Sequence, residues 1–275
     1  MYIYSIRSNM DFEMDNMNNM DFEKNTSIYI VSGCTNHFFI FWILFYRTVQ
    51  KYLPNAILHF YDLGLSEDQI KVMKSLVVRF PSNLVFHTFD FSLYPEWVNI
   101  KNAAGQWAWK PQCIKDVMDN YISDMNNSIV MWCDSCNMID CDLCELFSFV
   151  KNNGIYTNIT TGSVEKWTQP ATMDYLNARE FSLFHMRNAA LPVFYLGLPW
   201  VRDFINDYAK YCLVKECIFP EGSSRENHRQ DQSVLTCLYY TYWMKYRFTI
   251  NNDFMGIMIH CRPENFIKPY SEYSE

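Results

Sequence analysis

From residue 27 onward, short β-branched and aromatic runs alternate with longer stretches of helical period; before it no apolar period is discernible. Ser27 to Ser32 predicts a first buried strand ending at Gly33. Ala56 to Tyr61 predicts a second, Leu84 to Phe89 a third and Ser128 to Trp132 a fourth. Thr35 or Asn36 is placed to cap a helix that stops before Pro54. Ser66, followed by Glu67 and Asp68, opens a helix toward Val78 with its acids at the positive end of the dipole. Pro111 to Tyr121 reads as a helix with proline in its first turn. Beyond Ile155 the pattern is less regular, with helices predicted from Trp200 to Cys212 and from Asp231 to Trp243.

Strands that alternate with helices and are apolar on both faces predict an α/β fold: a mostly parallel, Rossmann-like central sheet with helices on both faces, plus a smaller irregular half. In such sheets ligands bind at the carboxyl ends of the strands. That rule puts Gly33 to His37, Asp62 to Leu65, Phe89 to Tyr94 and Cys133 to Asn137 along one rim. Residues 27–275 are expected to form a single domain. Residues 1–26, where Met10-Asp-Phe-Glu recurs as Met20-Asp-Phe-Glu, are expected to be a flexible tail.

Composition narrows the function classes. Of 275 residues, 49% are hydrophobic, enough for one large core. A net charge of −7 argues against nucleic acid as a partner. The apolar run Phe38 to Tyr46 is far shorter than the ~20 residues a membrane-spanning helix needs, so a buried helix and no membrane span are expected. The first residues lack the apolar core of a signal peptide, which points to a cytoplasmic protein. Its ten cysteines then read as free thiols, and the sequons at Asn25, Asn126 and Asn158 are silent.

Four stretches carry candidate chemistry. Asp134 follows a buried strand, where a carboxylate needs a cation or donors; a metal bridging a diphosphate is one such partner, and capping a turn is the plainer role. Asn227-His-Arg-Gln-Asp231-Gln232 packs polar groups before a helix, where Asp231 also suits an N-cap. His260, after the apolar run Ile257-Met-Ile, is followed by Arg262 and Lys268-Pro269. In Gln106-Trp-Ala-Trp109-Lys110-Pro111 a lysine flanked by aromatics stands at a helix start, where it suits a phosphate or a sugar, or simply packs. A rival constellation is the pair Cys133-x-x-Cys136 and Cys141-x-x-Cys144, which would make a zinc-stabilised interaction protein.

In their order along the chain these stretches resemble the GT-A nucleotide-diphospho-sugar transferases, distantly the glycogenin-like group and the soluble transferases of large DNA viruses. Val31-Ser-Gly-Cys-Thr-Asn-His37 is similar to the family's first strand and loop. Phe60-Tyr-Asp-Leu-Gly-Leu65 is similar to the second-strand segment, and Trp109-Lys-Pro111 precedes the helix leading to the Asp-bearing strand end. Asn227 to Ser233 resembles the Asp-Gln element near the sugar, and His260 with Lys268-Pro269 the C-terminal His…Lys-Pro. Two departures stand out. The DxD motif is here Asp134-Ser-Cys136, without its second carboxylate, and the span from His260 to Lys268 is long and lacks a glycine.

The resemblance implies a glycosyltransferase acting on a nucleoside diphosphate sugar and a glycan or other hydroxyl acceptor. Ser32, Gly33, Asn36, Asp62, Lys110, Asp134 and Lys268 would bind the donor. Asp134 and His260 would hold a divalent cation, Mn²⁺ or Mg²⁺, and Asp231 and Gln232 would be catalytic. Asp231 would be the base of an inverting enzyme, with Glu221 or Glu226 behind it; in a retaining enzyme Asp231 or Gln232 would act against the sugar. Trp167, Trp200 and Tyr195 are candidates for an acceptor platform. A relative that binds nucleotide-sugars without turnover is the alternative within the same fold.

Overall fold

The computed structural model describes residues 26–261. Residues 1–25, Arg262, Lys268 and Pro269 lie outside the described residues, so the predicted tail and the Lys268 contact do too.

Four strands, β1 (Ser27–Cys34), β2 (Ile57–Asp62), β3 (Leu84–Thr88) and β4 (Ser128–Trp132), pair in parallel in the order β3-β2-β1-β4. β5 (Met138–Ile139) and β6 (Ile155–Tyr156) follow, and β7 (Ile159–Ser163) pairs antiparallel with β8 (His185–Arg187). β9 (Val193–Tyr195) extends the main sheet antiparallel to β4, and β6 closes the order β3-β2-β1-β4-β9-β6. The sheet is mostly parallel, as the doubly apolar strands predict.

The period-2 rule sends alternate strand residues to opposite faces. Tyr29, Val31, Val130 and Trp132 enter one core, Ile30, Ile129 and Met131 the other. The second core is covered by α1 (Phe39–Tyr52), α2 (Glu67–Arg79) and, after α3 (Trp109–Tyr121), by α4 (Cys144–Asn153). The short α5 (Val164–Trp167) and α6 (Pro170–Tyr175) lead to α7 (Pro199–Tyr211), the short α8 (Lys215–Ile218) and α9 (Gln230–Tyr246). α3, α7 and α9 cover the first core. In α1 the buried side chains Phe39, Trp42, Phe45, Tyr46 and Val49 repeat at helical spacing, each contributing roughly 2 kcal/mol by burial. Among the described residues no helix is long and apolar enough to cross a membrane.

Two of the expected caps fare differently. Ser66 and Gln69 form a reciprocal capping box on α2. Neither Thr35 nor Asn36 caps α1, which begins three residues later behind a short 3₁₀ turn, Asn36–Phe38. Asn36 instead ties two loops together, donating its N–H to Gly64 O (3.0 Å) and accepting from Gln69 Nε2 (3.0 Å). After β4 the chain folds back, and β5 pairs antiparallel with β10 (Ile257–Met258), which returns the C-terminal segment to the sheet rim.

Candidate active site

A cavity of about 650 Å³ opens at the carboxyl ends of β1 and β4. The sheet rim contributes Gly33, Cys34, Thr35, Asp134, Cys136 and His260 to its lining. The second half of the chain contributes Thr160, Thr161, Trp167, Arg229, Asp231 and Gln232. At Gly33 a Cβ would meet Tyr61 O at 2.8 Å, so only glycine lets β1 approach β2 this closely beside the cavity.

The centre of the arrangement is Lys110. It sits in the first turn of α3, only 3% exposed. Its Nζ lies 3.0 Å from Asp134 Oδ1 and 3.5 Å from Asp231 Oδ2, and it donates to Ala189 O at 3.1 Å. Trp132 Nε1 donates to the same Asp134 Oδ1 at 2.6 Å. Burial pulls the ammonium toward neutrality, yet the two carboxylates outweigh it and hold Lys110 above its ordinary value. Asp231, 5% exposed, is pushed up to about 6: burial raises it, Lys110 opposes, and the neighbouring Asp134 charge raises it further. Tyr208 OH donates to its Oδ2 at 3.3 Å. A buried carboxylate titrating near 6 is poised to exchange a proton at neutral pH.

Several predicted residues meet here although they are far apart in sequence. Gly33, Lys110, Asp134, Asp231, Gln232 and His260 all line the cavity. His260 is brought in by β10 and by its backbone N–H, which points at Asn137 Oδ1 (3.4 Å). Asp231 does not cap α9: Gln230 starts the helix, and Asp231 lies in its first turn. Other predicted residues stand elsewhere. Ser32 is fully buried in β1 and Asn36 faces solvent, neither on the cavity. Asp62 Oδ1 is spent on its own loop, accepting from Gly64 N (2.8 Å) and Leu65 N (2.7 Å). Trp200 stacks on Tyr246 and Phe248 away from the cavity, and Tyr195 OH donates to Asn126 O. Of the three candidate platform aromatics only Trp167 faces the cavity, and Glu221 and Glu226 are exposed outside it. His228, from the polar cluster before α9, is wholly buried between Gln169 N and Ile218 O, and burial holds its imidazole down to about 4.

The rival cysteine cluster does not assemble. Cys133 is buried in the core at the end of β4, whereas Cys141 is exposed. Among the described residues no three His, Cys, Asp or Glu side chains converge to hold a metal. Residues not singled out from the sequence also line the cavity: Thr160, Thr161 and Arg225. Arg225 lies in an irregular segment, where no period marks which side chains turn inward.

A family model described as a protein of unknown function (DUF1647) matches residues 8–114. No curated protein matches the sequence. Among solved structures, the galactosyltransferase LgtC in complex with donor and acceptor sugar analogues is similar at 17% identity and a TM-score of 0.54, over 86% of this chain and 87% of that one. An active-site mutant of LgtC is similar at 15% identity and a TM-score of 0.51, over 86% and 88%. The Mn/GDP form of core-mannan synthase A from Aspergillus fumigatus superposes less well, at 11% identity and a TM-score of 0.49, over 78% and 69%. With a mostly parallel α/β sheet matched over nearly the whole length of both chains, this protein has the GT-A fold of the nucleotide-diphospho-sugar transferases.

Proposed function

We propose that this chain transfers a sugar from a nucleoside diphosphate sugar to a hydroxyl acceptor. The observation that carries the proposal is the Asp134–Lys110–Asp231 chain, in which Lys110 and Asp231 are buried, set on the ligand-binding rim of the fold and facing the cavity. A lysine held between two carboxylates keeps both side chains fixed before any substrate arrives, which is what positioning a reacting centre needs. Gly33, Cys34 and Thr35 offer the donor a wall of strand end and loop. Asp231, titrating near 6, is suited to take the acceptor hydroxyl proton, with Gln232 beside it to contact the sugar. Lys110 itself is consumed by its partners and acts as a positioning residue.

The donor set fits a divalent cation only as one shared with the nucleotide. Asp134 Oδ1 is taken by Lys110 and Trp132, leaving Oδ2 without a partner among the described residues. His260 adds an imidazole. Cys136, in place of a second carboxylate, is pushed up to about 11 by burial and the nearby Asp134, so it remains a neutral thiol and a poor ligand for a hard ion. Asp134 and His260 would hold such an ion, whose remaining positions fall to diphosphate oxygens and water. Its chemistry there would be neutralising charge on the leaving diphosphate.

Thermal shifts with UDP, GDP, CDP and dTDP, each with and without Mn²⁺, test the proposal. A nucleotide at a hundredfold excess over its Kd stabilises the native state by about 2.7 kcal/mol. A single nucleotide class giving that shift, larger with Mn²⁺, is the expected result. No shift with any of them would overturn the proposal, and binding without transfer or hydrolysis would leave a non-catalytic sugar-nucleotide binder.

A further inference from the structure

Two arginines face the cavity without an acidic partner. The Arg229 guanidinium carbon lies 3.9 Å from the centre of the Trp167 ring, and that of Arg225 lies 4.7 Å from the Trp107 ring. All four side chains line the cavity. Neither arginine forms an ion pair among the described residues, although the chain carries a net charge of −7. Arg229 is held below its ordinary value by partial burial and by the Arg225 charge, so the two cations feel each other. The N–H groups of both guanidiniums form no hydrogen bond or ion pair among the described residues, and these donors bind carboxylate, sulfate or phosphate in bidentate fashion.

The aromatic half of this pair of sandwiches is built, not incidental. Trp167 O accepts from Arg229 N (3.1 Å) and Ser233 Oγ (2.8 Å), which locks the tryptophan backbone to the start of α9. Gly162, at φ 91°, makes room for the indole: a Cβ there would meet Trp167 Cδ1 at 2.7 Å. Trp107 ends a run of five consecutive residues, Ala103 to Trp107, with φ between 48° and 59°. For a residue with a side chain this left-handed conformation is unfavourable. Trp109 Nε1, donating to Ala104 O at 3.0 Å, helps hold the turn.

These groups come from residues 103–107, 160–167 and 225–229, whereas Gly33, Asp134 and His260 come from the sheet rim. Arg229 precedes Asp231 by two positions. Resting on the transferase assignment above, we propose that Arg225 and Arg229, with Trp107 and Trp167, form an acceptor subsite for an acidic sugar. The guanidiniums take its carboxylate or sulfate, and the indoles beneath them hold the guanidiniums in place.

Calorimetric titration of the full chain tests this without requiring turnover. The probes are a glucuronate-containing disaccharide, its carboxyl-reduced counterpart and the 6-O-sulfated form of the latter. The acidic disaccharides are expected to bind at least tenfold more tightly than the neutral one, and comparison of the two separates carboxylate from sulfate. The double variant R225Q/R229Q should erase the preference while leaving the nucleotide-induced thermal shift intact. Because Arg225 is exposed, R225Q alone keeps the fold and should weaken acidic binding by threefold or more. Equal affinity for acidic and neutral sugars overturns the inference. So does loss of the nucleotide shift in R225Q/R229Q, which would assign the arginines to the diphosphate. A preference for a uronic-acid donor over its neutral counterpart would assign them to the donor sugar and overturn it as well. Arginine-dependent acidic binding with no nucleotide shift supports the anionic-sugar subsite while refuting the transferase assignment.

Discussion

Replacing Lys110 by methionine is the most direct test of the buried constellation. The ammonium lies 3.0 and 3.5 Å from two carboxylates, so each attraction is about 5 kcal/mol at an effective dielectric near 20. Desolvating the ammonium costs several kcal/mol, so little of this is net stabilisation in the wild type. Its removal is another matter. Asp231 is left buried beside Asp134 with no cation, and losing one partner of a buried ion pair destabilises by about 3–5 kcal/mol. In a domain of this size that lowers Tm by roughly 6–20 °C. The loss has a pH signature. Without Lys110 the Asp231 carboxyl, already at about 6, rises further, so its charged form is what the fold resists. The destabilisation should be full at pH 8 and shrink toward pH 5 as Asp231 takes up a proton. Urea unfolding of K110M at the two pH values measures this. A loss below about 1 kcal/mol at pH 8, or an equal loss at both, would refute the assignment of Lys110 as the cation that sustains the buried Asp231 charge.

The wild type carries the same linkage more weakly. Asp231 has a folded value of about 6 against about 3.9 unfolded, so stability should decline by about 3 kcal/mol as pH rises from 4 through 6 and then level off. Asp231→Asn should therefore unfold no more easily at pH 8 while kcat falls at least a hundredfold with nucleotide binding retained; a large loss of Tm would return Asp231 to a structural role. In the wild type kcat/KM should fall below pH 6 as the base is protonated, and a flat profile from pH 5 to 8 would exclude it. Asp134→Ala should abolish the nucleotide-induced thermal shift, and unchanged binding would remove Asp134 from the donor site. Trp200→Ala should cost about 2 kcal/mol, because the ring is partly buried against Tyr246 and Phe248, yet leave transfer untouched.

The alternation of strands and helices from Ser27 to Trp132 was legible because each strand is apolar on both faces, and such strands have few alternatives to a covered parallel sheet. The rim followed from the same pattern, and with it the placement of Gly33 and Asp134, whereas His260 entered only through the resemblance in motif order. Local chemistry was legible where it is self-contained, as at Ser66, which reads as a helix start and is the N-cap of α2. The resemblance in motif order marked Asp231 and Gln232, but not what Asp231 does, since an acid at a helix start is equally a cap. Tertiary structure places Lys110, 121 positions away, against it in a dry environment, and the base role proposed for it rests on that contact. It also decided against Asp62, whose carboxylate finds nearer donors in its own loop, and against Trp200, whose ring finds Tyr246 and Phe248. Arg225 shows the limit most clearly. It belongs to no periodic segment, and an unpaired charge is unpaired only by virtue of what surrounds it in space. Period and composition therefore determine which layers form, whereas the partners of each charge depend on long-range packing.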